Sequence, residues 1–472
     1  MPTTPTIFWF RRDLRLADNP ALLAAVAAGS GDVLAAFVID PALTEPAGPA
    51  RVGFLRRTLE SLDADLGGRL CVRSGDPAEE LLALALEFGA RSVFATGDYG
   101  PCGRQRDERV TRALALRGVE LRLIDSPYVV VPGTVVTKSG TPCRVFGAIR
   151  RGWENEPVPE PLDAPRGVRW QLGESAGLEE LSHLAGTRRP SYFDSSEEPP
   201  TVLWAAGETA ATRQLDDYVT RVDEYERTRD VPGLAGTSRL SPYLRFGSLH
   251  PRQVLHVVGG ETTGRTTYRS ELCWRDFYAD VLWRHPDSVR AILQVSLAHL
   301  RVDTDARAVE RFRSWARGET GYPLVDAGMR QLLAEGWMHN RVRMVVASFL
   351  VKHLHLDWRW GARWFMWRLI DGDVASNQHG WQWTAGTGTD AAPFHRIFNP
   401  TRQAERFDGA GTYVHRFIPE LAATPAPQCL QPGGGPAGAA AGYAPPVVDV
   451  AVERAEALVR FAEARDVARV GA

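Results

Sequence analysis

The chain has 472 residues, enough for about three units of ordinary domain size or two large ones. Hydrophobic residues make up 44% and charged residues 24%, which excludes a disordered, collagen-like or coiled-coil chain as an overall description. Lys and Arg number 55 against 57 Asp and Glu, and the net charge of −2 excludes nucleic-acid binding through overall basicity, leaving only a local basic patch. No run of about 18 apolar residues occurs, so no membrane-spanning helix is expected. The first residues lack a basic stretch followed by an apolar one, so a cytoplasmic location is expected. Cys71, Cys102, Cys143, Cys273 and Cys429 are scattered and form no Cys-x-x-Cys pair. Neither a disulfide framework nor a metal site is expected from them.

Over residues 1–131, short apolar runs alternate with amphipathic stretches. Strands are expected at Ile7–Phe10, Val33–Ile39, Leu70–Val72, Ser92–Ala95 and Glu120–Ile124. Helices are expected between them at Asn19–Ala28, Val52–Leu66, Ala78–Phe88 and Arg104–Arg117. That rhythm predicts an α/β domain, a doubly wound parallel sheet whose ligands sit at the carboxyl ends of its strands. Neither a Gly-x-Gly-x-x-Gly string nor a P-loop is present. Residues 132–200 are rich in Pro, Gly, Ser and Glu, as in Asn155–Pro161 and Ser195–Pro200, and read as an interdomain linker with little structure of its own. Beyond residue 201 the apolar period becomes helical, as in Gly328–Glu335, Asn340–His353 and Ala362–Leu369, so 201–472 is expected to be an all-α domain. Gly433–Gly442 reads as a flexible low-complexity loop, and a last helix is expected over Val452–Ala468.

Most of the 14 tryptophans fall after residue 270, an aromatic loading that points to stacking or redox chemistry. Thr237-Ser238-Arg239-Leu240-Ser241 sets hydroxyls around an arginine at an expected helix start, which reads either as an anion site or as a simple N-cap. Asp371-Gly372-Asp373 reads either as a turn that binds a metal or a ligand's N–H groups, or as a solvated turn. Arg341 and Met344 share a helix face while Arg343 points elsewhere. Arg229, Arg239, Arg245, Arg269 and Arg275 add a local basic supply for phosphate contacts, and Trp274 and Trp383 offer flat faces for bases. His339, His353 and His355 lack metal-ligand spacing and read as structural. Spacing alone gives two domains and an aromatic, arginine-rich pocket, and it gives no flavin.

Longer strings carry a resemblance: Phe8-Trp-Phe-Arg-Arg-Asp-Leu-Arg-Leu-Ala-Asp-Asn19, Thr237–Ser241, Glu271-Leu-Cys-Trp-Arg-Asp-Phe-Tyr278 and Thr320-Gly-Tyr-Pro-Leu-Val-Asp326. Gly336-Trp-Met-His-Asn-Arg341, Asp371-Gly-Asp373 and Trp381-Gln-Trp-Thr-Ala-Gly-Thr-Gly-Thr-Asp390 continue it. Over about residues 6–420 the chain resembles the photolyase/cryptochrome family, and within it the bacterial class I photolyases for cyclobutane pyrimidine dimers. The resemblance implies non-covalent FAD in the helical half, and light-driven electron transfer from reduced FAD to a dimer flipped out of DNA. It assigns Thr237, Ser238, Arg239, Leu240 and Ser241 to the FAD phosphates and Tyr225 and Tyr268 to further FAD contacts. Asp371, Gly372 and Asp373 would meet the flavin and its sugar chain, Arg343 would pair with Asp371, and Asn377 would face flavin N5. An amide at that place is expected to favour the anionic reduced flavin.

For the lesion, the matching positions are Glu271, Trp274, Asn340, Met344 and Trp383; Arg229, Arg341 and Gln403 match DNA-contacting positions. Members acting on the (6-4) product carry a His where Asn340 and Met344 stand, so the resemblance implies the cyclobutane lesion. Trp381 and Trp358 match the first two members of the family's photoreduction chain, and the third position holds Asp305, so either Trp360 or another aromatic is expected to be the exit, or photoreduction is expected to be poor. Cys102-Gly103 stands in place of an Asn-Glu pair that grips a folate, so the expected antenna is a deazaflavin or none. After Ile418-Pro-Glu-Leu421, Pro427–Pro432 replaces a His-x-Pro-Trp stretch. The rival readings are a signalling cryptochrome without repair and a damaged-DNA-binding protein that keeps FAD. A monomer is expected.

Overall fold

The computed structural model describes residues 4–189, 200–390 and 396–470. They form two compact units. The first holds 1–189, 204–223 and 238–286; the second holds 190–203, 224–237 and 287–472. In this division the helical stretches 204–223 and 238–286 pack with the sheet.

The first unit is built on β1 (Thr6–Phe10), β2 (Asp32–Ile39), β3 (Leu70–Ser74), β4 (Ser92–Ala95) and β5 (Glu120–Leu123). All pairings are parallel, in the order β3-β2-β1-β4-β5. β1 is buried along its whole length, as a central strand with helices on both faces must be. The connecting helices are α1 (Pro20–Ala28), α2 (Pro49–Asp65), α3 (Pro77–Phe88) and α4 (Pro101–Ala115). Each opens on a proline, whose fixed φ and missing N–H suit a first turn. This is why α2 and α4 start three residues before the expected Val52 and Arg104. Asn19 and Asp76 cap α1 and α3 through their side chains.

The expected linker is structured where it is described. It carries α5 (Phe146–Trp153), a two-residue strand β6 (Arg169–Trp170) parallel to β2, and a short helix at Glu180–Leu184. Ser195–Pro199 of that stretch lie outside the described residues. The unit is completed by α6 (Ser241–Phe246) and α7 (Thr263–Arg284), among others. Asp276 and Asp280 on α7 hold the preceding segment. Asp276 accepts from Val130 N at 3.0 Å and Trp153 Nε1 at 2.9 Å, and Asp280 from Gly133 N at 2.6 Å.

The second unit is helical, and among the described residues no strand follows β6. It contains α8 (Ala306–Arg317), α9 (Pro323–Glu335), α10 (Asn340–Lys352), α11 (Trp358–Arg368), α12 (Val374–Ala385) and α13 (Pro400–Phe407). The last helix, α14, runs Val450–Val470. Trp315, Trp358, Trp364 and Trp381 lie in the core with Leu350, Phe349 and Met338. The glycine-rich tail is not a loop: Gly435–Ala440 is helical and Gly433, Gly434 and Gly438 are buried. A Cβ at Gly438 would collide with the Gly433 carbonyl, so glycine is what allows this packing. Gly433 N donates to Gly321 O at 2.8 Å, and the Tyr443 hydroxyl donates to buried Asp326.

Candidate functional site

In the first unit, the Ser238–Leu240 stretch runs into α6. Arg239 sits at φ +53°, a left-handed conformation that L-residues avoid and that clusters at functional sites. Ser238 Oγ accepts from the Tyr268 hydroxyl at 2.9 Å and from Leu240 N at 3.3 Å, and Gln214 Nε2 donates to Ser238 O at 2.9 Å. The Ser238 hydroxyl thus shapes the turn, and no side-chain cap bonds the start of α6 among the described residues. Ser241 opens α6 with an exposed side chain, and Leu240 is buried behind it. The Arg239 guanidinium lies 5.4 Å over Trp204. Burial drives the Tyr268 phenol well above its ordinary range, so it acts as a neutral donor.

Tyr268, Glu271 and Trp274 follow at steps of three on α7, whose buried residues include Cys273, Asp276, Phe277 and Asp280. Glu271 and Trp274 are half-buried. One face of Trp274 is already used: Phe146 stacks on it at 3.7 Å and 4°. Phe277 and Tyr278 pack on the same ring at 5.6 and 5.5 Å, contacts that the sequence did not reveal.

In the second unit, Arg343 reaches across from α10 to Asp371. Its Nη2 donates to Asp371 Oδ2 at 2.8 Å, and its Nε donates to Met338 O at 2.8 Å. Asp371 is 7% exposed, so it is no solvated turn. Its Oδ1 is buried and has no hydrogen-bond partner among the described residues. A buried acceptor left alone costs about 1–3 kcal/mol unless a ligand's N–H satisfies it. Gly372 is buried; Asp373 caps α12 by accepting from Ser376 N at 3.1 Å. Asn377, one turn on, donates to Ala362 O at 3.0 Å and to Gln378 Oε1 at 2.8 Å.

Trp381 on α12 is buried against Phe365 at 5.1 Å and Trp315 at 6.1 Å, both edge to face. A Cβ at Gly361 would run into its indole, so glycine lets α11 and α12 approach. Trp358, the first residue of α11, is also buried, and neither it nor Trp381 has an acceptor for its indole N–H among the described residues. Asp305 caps α8 by accepting from Ala308 N at 2.8 Å, a structural role. Trp360 meets Phe312 at 5.6 Å, and Phe312 meets Trp315 at 5.8 Å.

Arg341 points away from Arg343 and is engaged by its own chain. It donates to Asp230 at 2.8 and 3.1 Å and lies 4.6 Å over Phe407. Tyr225 is buried under the Arg229 guanidinium at 5.3 Å. Asn340 is exposed; Thr237, Met344, Trp383 and Gln403 are half-buried. His339 caps α10, and His355 pairs with Glu453 at 2.7 Å. Among the described residues, no group of three or more His, Cys, Asp or Glu is placed to hold a metal ion. Gln378, Asp230, Trp315 and Phe365 were missed in the sequence. The first two stand directly beside Asn377 and Arg229, and Phe365 and Trp315 carry no signal beyond aromatic content.

A further group was not foreseen at the carboxyl ends of β1 and β4. Arg11 pairs with Asp107 and donates to Thr96 O, and Arg106 pairs with Asp98 at 3.2 Å. Both guanidiniums lie over Trp9, at 4.4 and 4.9 Å. A Cβ at Gly103 would collide with the Asp98 carboxylate.

The sheet unit and the helical unit define the class, an α/β unit with an all-α unit. Residues 6–166 match the DNA photolyase family, and 268–463 match the FAD binding domain of DNA photolyase. The deoxyribodipyrimidine photo-lyase of Agrobacterium fabrum is 40% identical, over 89% of this chain and 88% of that one. That of Escherichia coli is 36% identical over 98% and 99%. A class III photolyase structure from Agrobacterium tumefaciens aligns with a TM-score of 0.91 and 37% identity, covering 99% of this chain and 98% of that one. A Synechocystis cryptochrome aligns with a TM-score of 0.84 and 28% identity, over 97% and 99%. The chain belongs to the DNA photolyase family.

Proposed function

We propose that the protein repairs cyclobutane pyrimidine dimers in DNA by light-driven electron transfer. The observation that carries this reading is the Asp371 carboxylate: one oxygen is held by Arg343, and the other is buried and waits for a donor. That buried acceptor fits FAD, which when bound in its reduced form would supply an electron on illumination and take it back once the dimer has split. Asp371 and Arg343 orient the isoalloxazine, with Gly372 and Asp373 beside it. Thr237, Ser238, Arg239, Leu240 and Ser241 hold the phosphates, and Tyr225 and Tyr268 add contacts. Asn377 faces flavin N5. Trp381 and Trp358 relay electrons inward.

Glu271 hydrogen-bonds a thymine edge and Trp274 and Trp383 pack the fused bases. Asn340 and Met344 supply no acid or base, which suits a cyclobutane dimer and not a (6-4) product. Arg229, Arg341 and Gln403 contact the DNA backbone. Extruding the dimer costs a few kcal/mol, less than for an intact pair, so selectivity needs no sequence readout. Residues 1–131 carry an antenna role and 201–472 the flavin and DNA roles. A deazaflavin suits the antenna better than a folate, because an acid at position 103 would meet Asp98. The protein acts in the cytoplasm as a monomer. Glu271→Ala tests the assignment: repair yield per absorbed photon drops at least severalfold while dimer affinity changes less, and an unchanged yield refutes the role.

A further inference from the structure

Two neighbouring side chains on α12 form a closed relay. Gln378 Nε2 donates to the Val289 carbonyl at 2.6 Å. Gln378 Oε1 accepts from Asn377 Nδ2 at 2.8 Å, and the same Nδ2 donates to the Ala362 carbonyl at 3.0 Å. A backbone carbonyl can only accept, so the identity of every amide atom follows from the two ends. The Gln378 atom facing Val289 must be its NH₂, which leaves its oxygen for Asn377. The Asn377 atom facing Ala362 must likewise be its NH₂. Flipping Asn377 would set oxygen against oxygen at both of its contacts, and flipping Gln378 would set oxygen against the Val289 carbonyl and NH₂ against NH₂. Both N–H groups of Asn377 are therefore spent. No donor among the described residues reaches its Oδ1.

We infer that Gln378 is a positioning residue for the flavin. It locks Asn377 so that a pure acceptor, never an N–H, is presented to flavin N5. This rests on the reading that Asn377 faces the flavin. Two-electron reduction of FAD to FADH⁻ consumes two electrons and one proton, and the proton resides on N5. Reduced flavin can donate there, whereas oxidised flavin carries a lone pair there. A locked acceptor bonds the first and opposes the second, so the relay biases the bound flavin toward its reduced form.

The test is a dye-mediated redox titration of the holoprotein, read by flavin absorbance, for wild type, Gln378→Leu, Asn377→Ala and the double variant. At the ambient potential that half-reduces the wild type, Gln378→Leu lowers the reduced-to-oxidised ratio about fivefold, the worth of one hydrogen bond. In the Asn377→Ala background the same substitution has no further effect. An equal effect in both backgrounds overturns the relay, because it would be a general structural change. A shift with Asn377→Ala but none with Gln378→Leu also overturns it, and leaves Asn377 facing the flavin. No shift with Asn377→Ala removes the flavin-facing reading and the proposal with it. If Gln378→Leu does not fold, neutron diffraction of the wild-type holoprotein decides: two deuterons on the Asn377 atom facing Ala362 support the lock, and deuterons on the opposite atom overturn it.

Discussion

Among the described residues no donor reaches one buried oxygen of Asp371, while a guanidinium holds the other. A folded protein tolerates such a group where a ligand completes it. Asp371→Ala removes both that acceptor and the partner of Arg343. We expect FAD to bind about 10- to 100-fold more weakly to the apoprotein, the worth of a charged hydrogen bond, measured by quenching of flavin fluorescence. Unchanged affinity would place the flavin elsewhere. The resemblance had put Arg343 and Asp371 together, but the lone oxygen was not legible in the sequence, because it depends on which atoms each packed neighbour offers. Trp274 shows the same limit. Its residue type announced a stacking face, and only the fold shows that Phe146 covers one side.

At the scale of elements, the strands were legible because central parallel strands are continuous apolar runs, as in Ile7–Phe10. Helix starts were less so where an uncapped Gly48 or Gly100 precedes the proline. The stretch after residue 131 was misread for a physical reason. Its proline-rich composition lacks periodicity, yet buried carboxylates on α7 satisfy its backbone. Asp276→Ala leaves Val130 N and Trp153 Nε1 without their acceptor and should destabilise the protein by about 2–4 kcal/mol, with faster proteolysis of the segment around 130–153. An unchanged denaturation midpoint would mean that α7 does not hold it. The glycine tail was misread because composition cannot tell a flexible glycine from one that a close backbone contact requires.

His353 at the end of α10 gives a pH test. Burial, then the neighbouring His355 and Lys352, lowers its pKa to about 3. The folded state keeps this ring neutral while the unfolded chain protonates it near 6.5. Its contribution to stability is therefore complete above pH 6.5 and is lost as pH falls toward 3, by about 1.4 kcal/mol per pH unit at most. His353→Gln should melt with a shallower dependence than wild type between pH 6.5 and 5. Parallel curves would show that the ring is hydrated.

At the scale of the molecule, a net charge of −2 leaves DNA affinity to local arginines. Asp230 holds Arg341, a proposed DNA contact, at 2.8 Å. A phosphate must compete with that carboxylate. Asp230→Asn should tighten DNA binding severalfold, and Arg341→Ala should reduce the slope of log affinity against log salt by about one. An unaltered slope would remove Arg341 from the DNA contacts. Only the resemblance, and not spacing, made the chemistry legible, since the proposed residues are drawn from segments 225–241, 268–274, 340–344, 358, 371–383 and 403 of one chain. The measurement that bears most directly on that chemistry uses the purified holoprotein, reduced chemically without oxygen and mixed with an oligonucleotide carrying one thymine dimer. Under near-UV to blue light the absorbance of intact thymine should return, and in the dark it should not. Tightly bound FAD with no recovery in the light would contradict repair and point to a photoreceptor or a damage-binding protein.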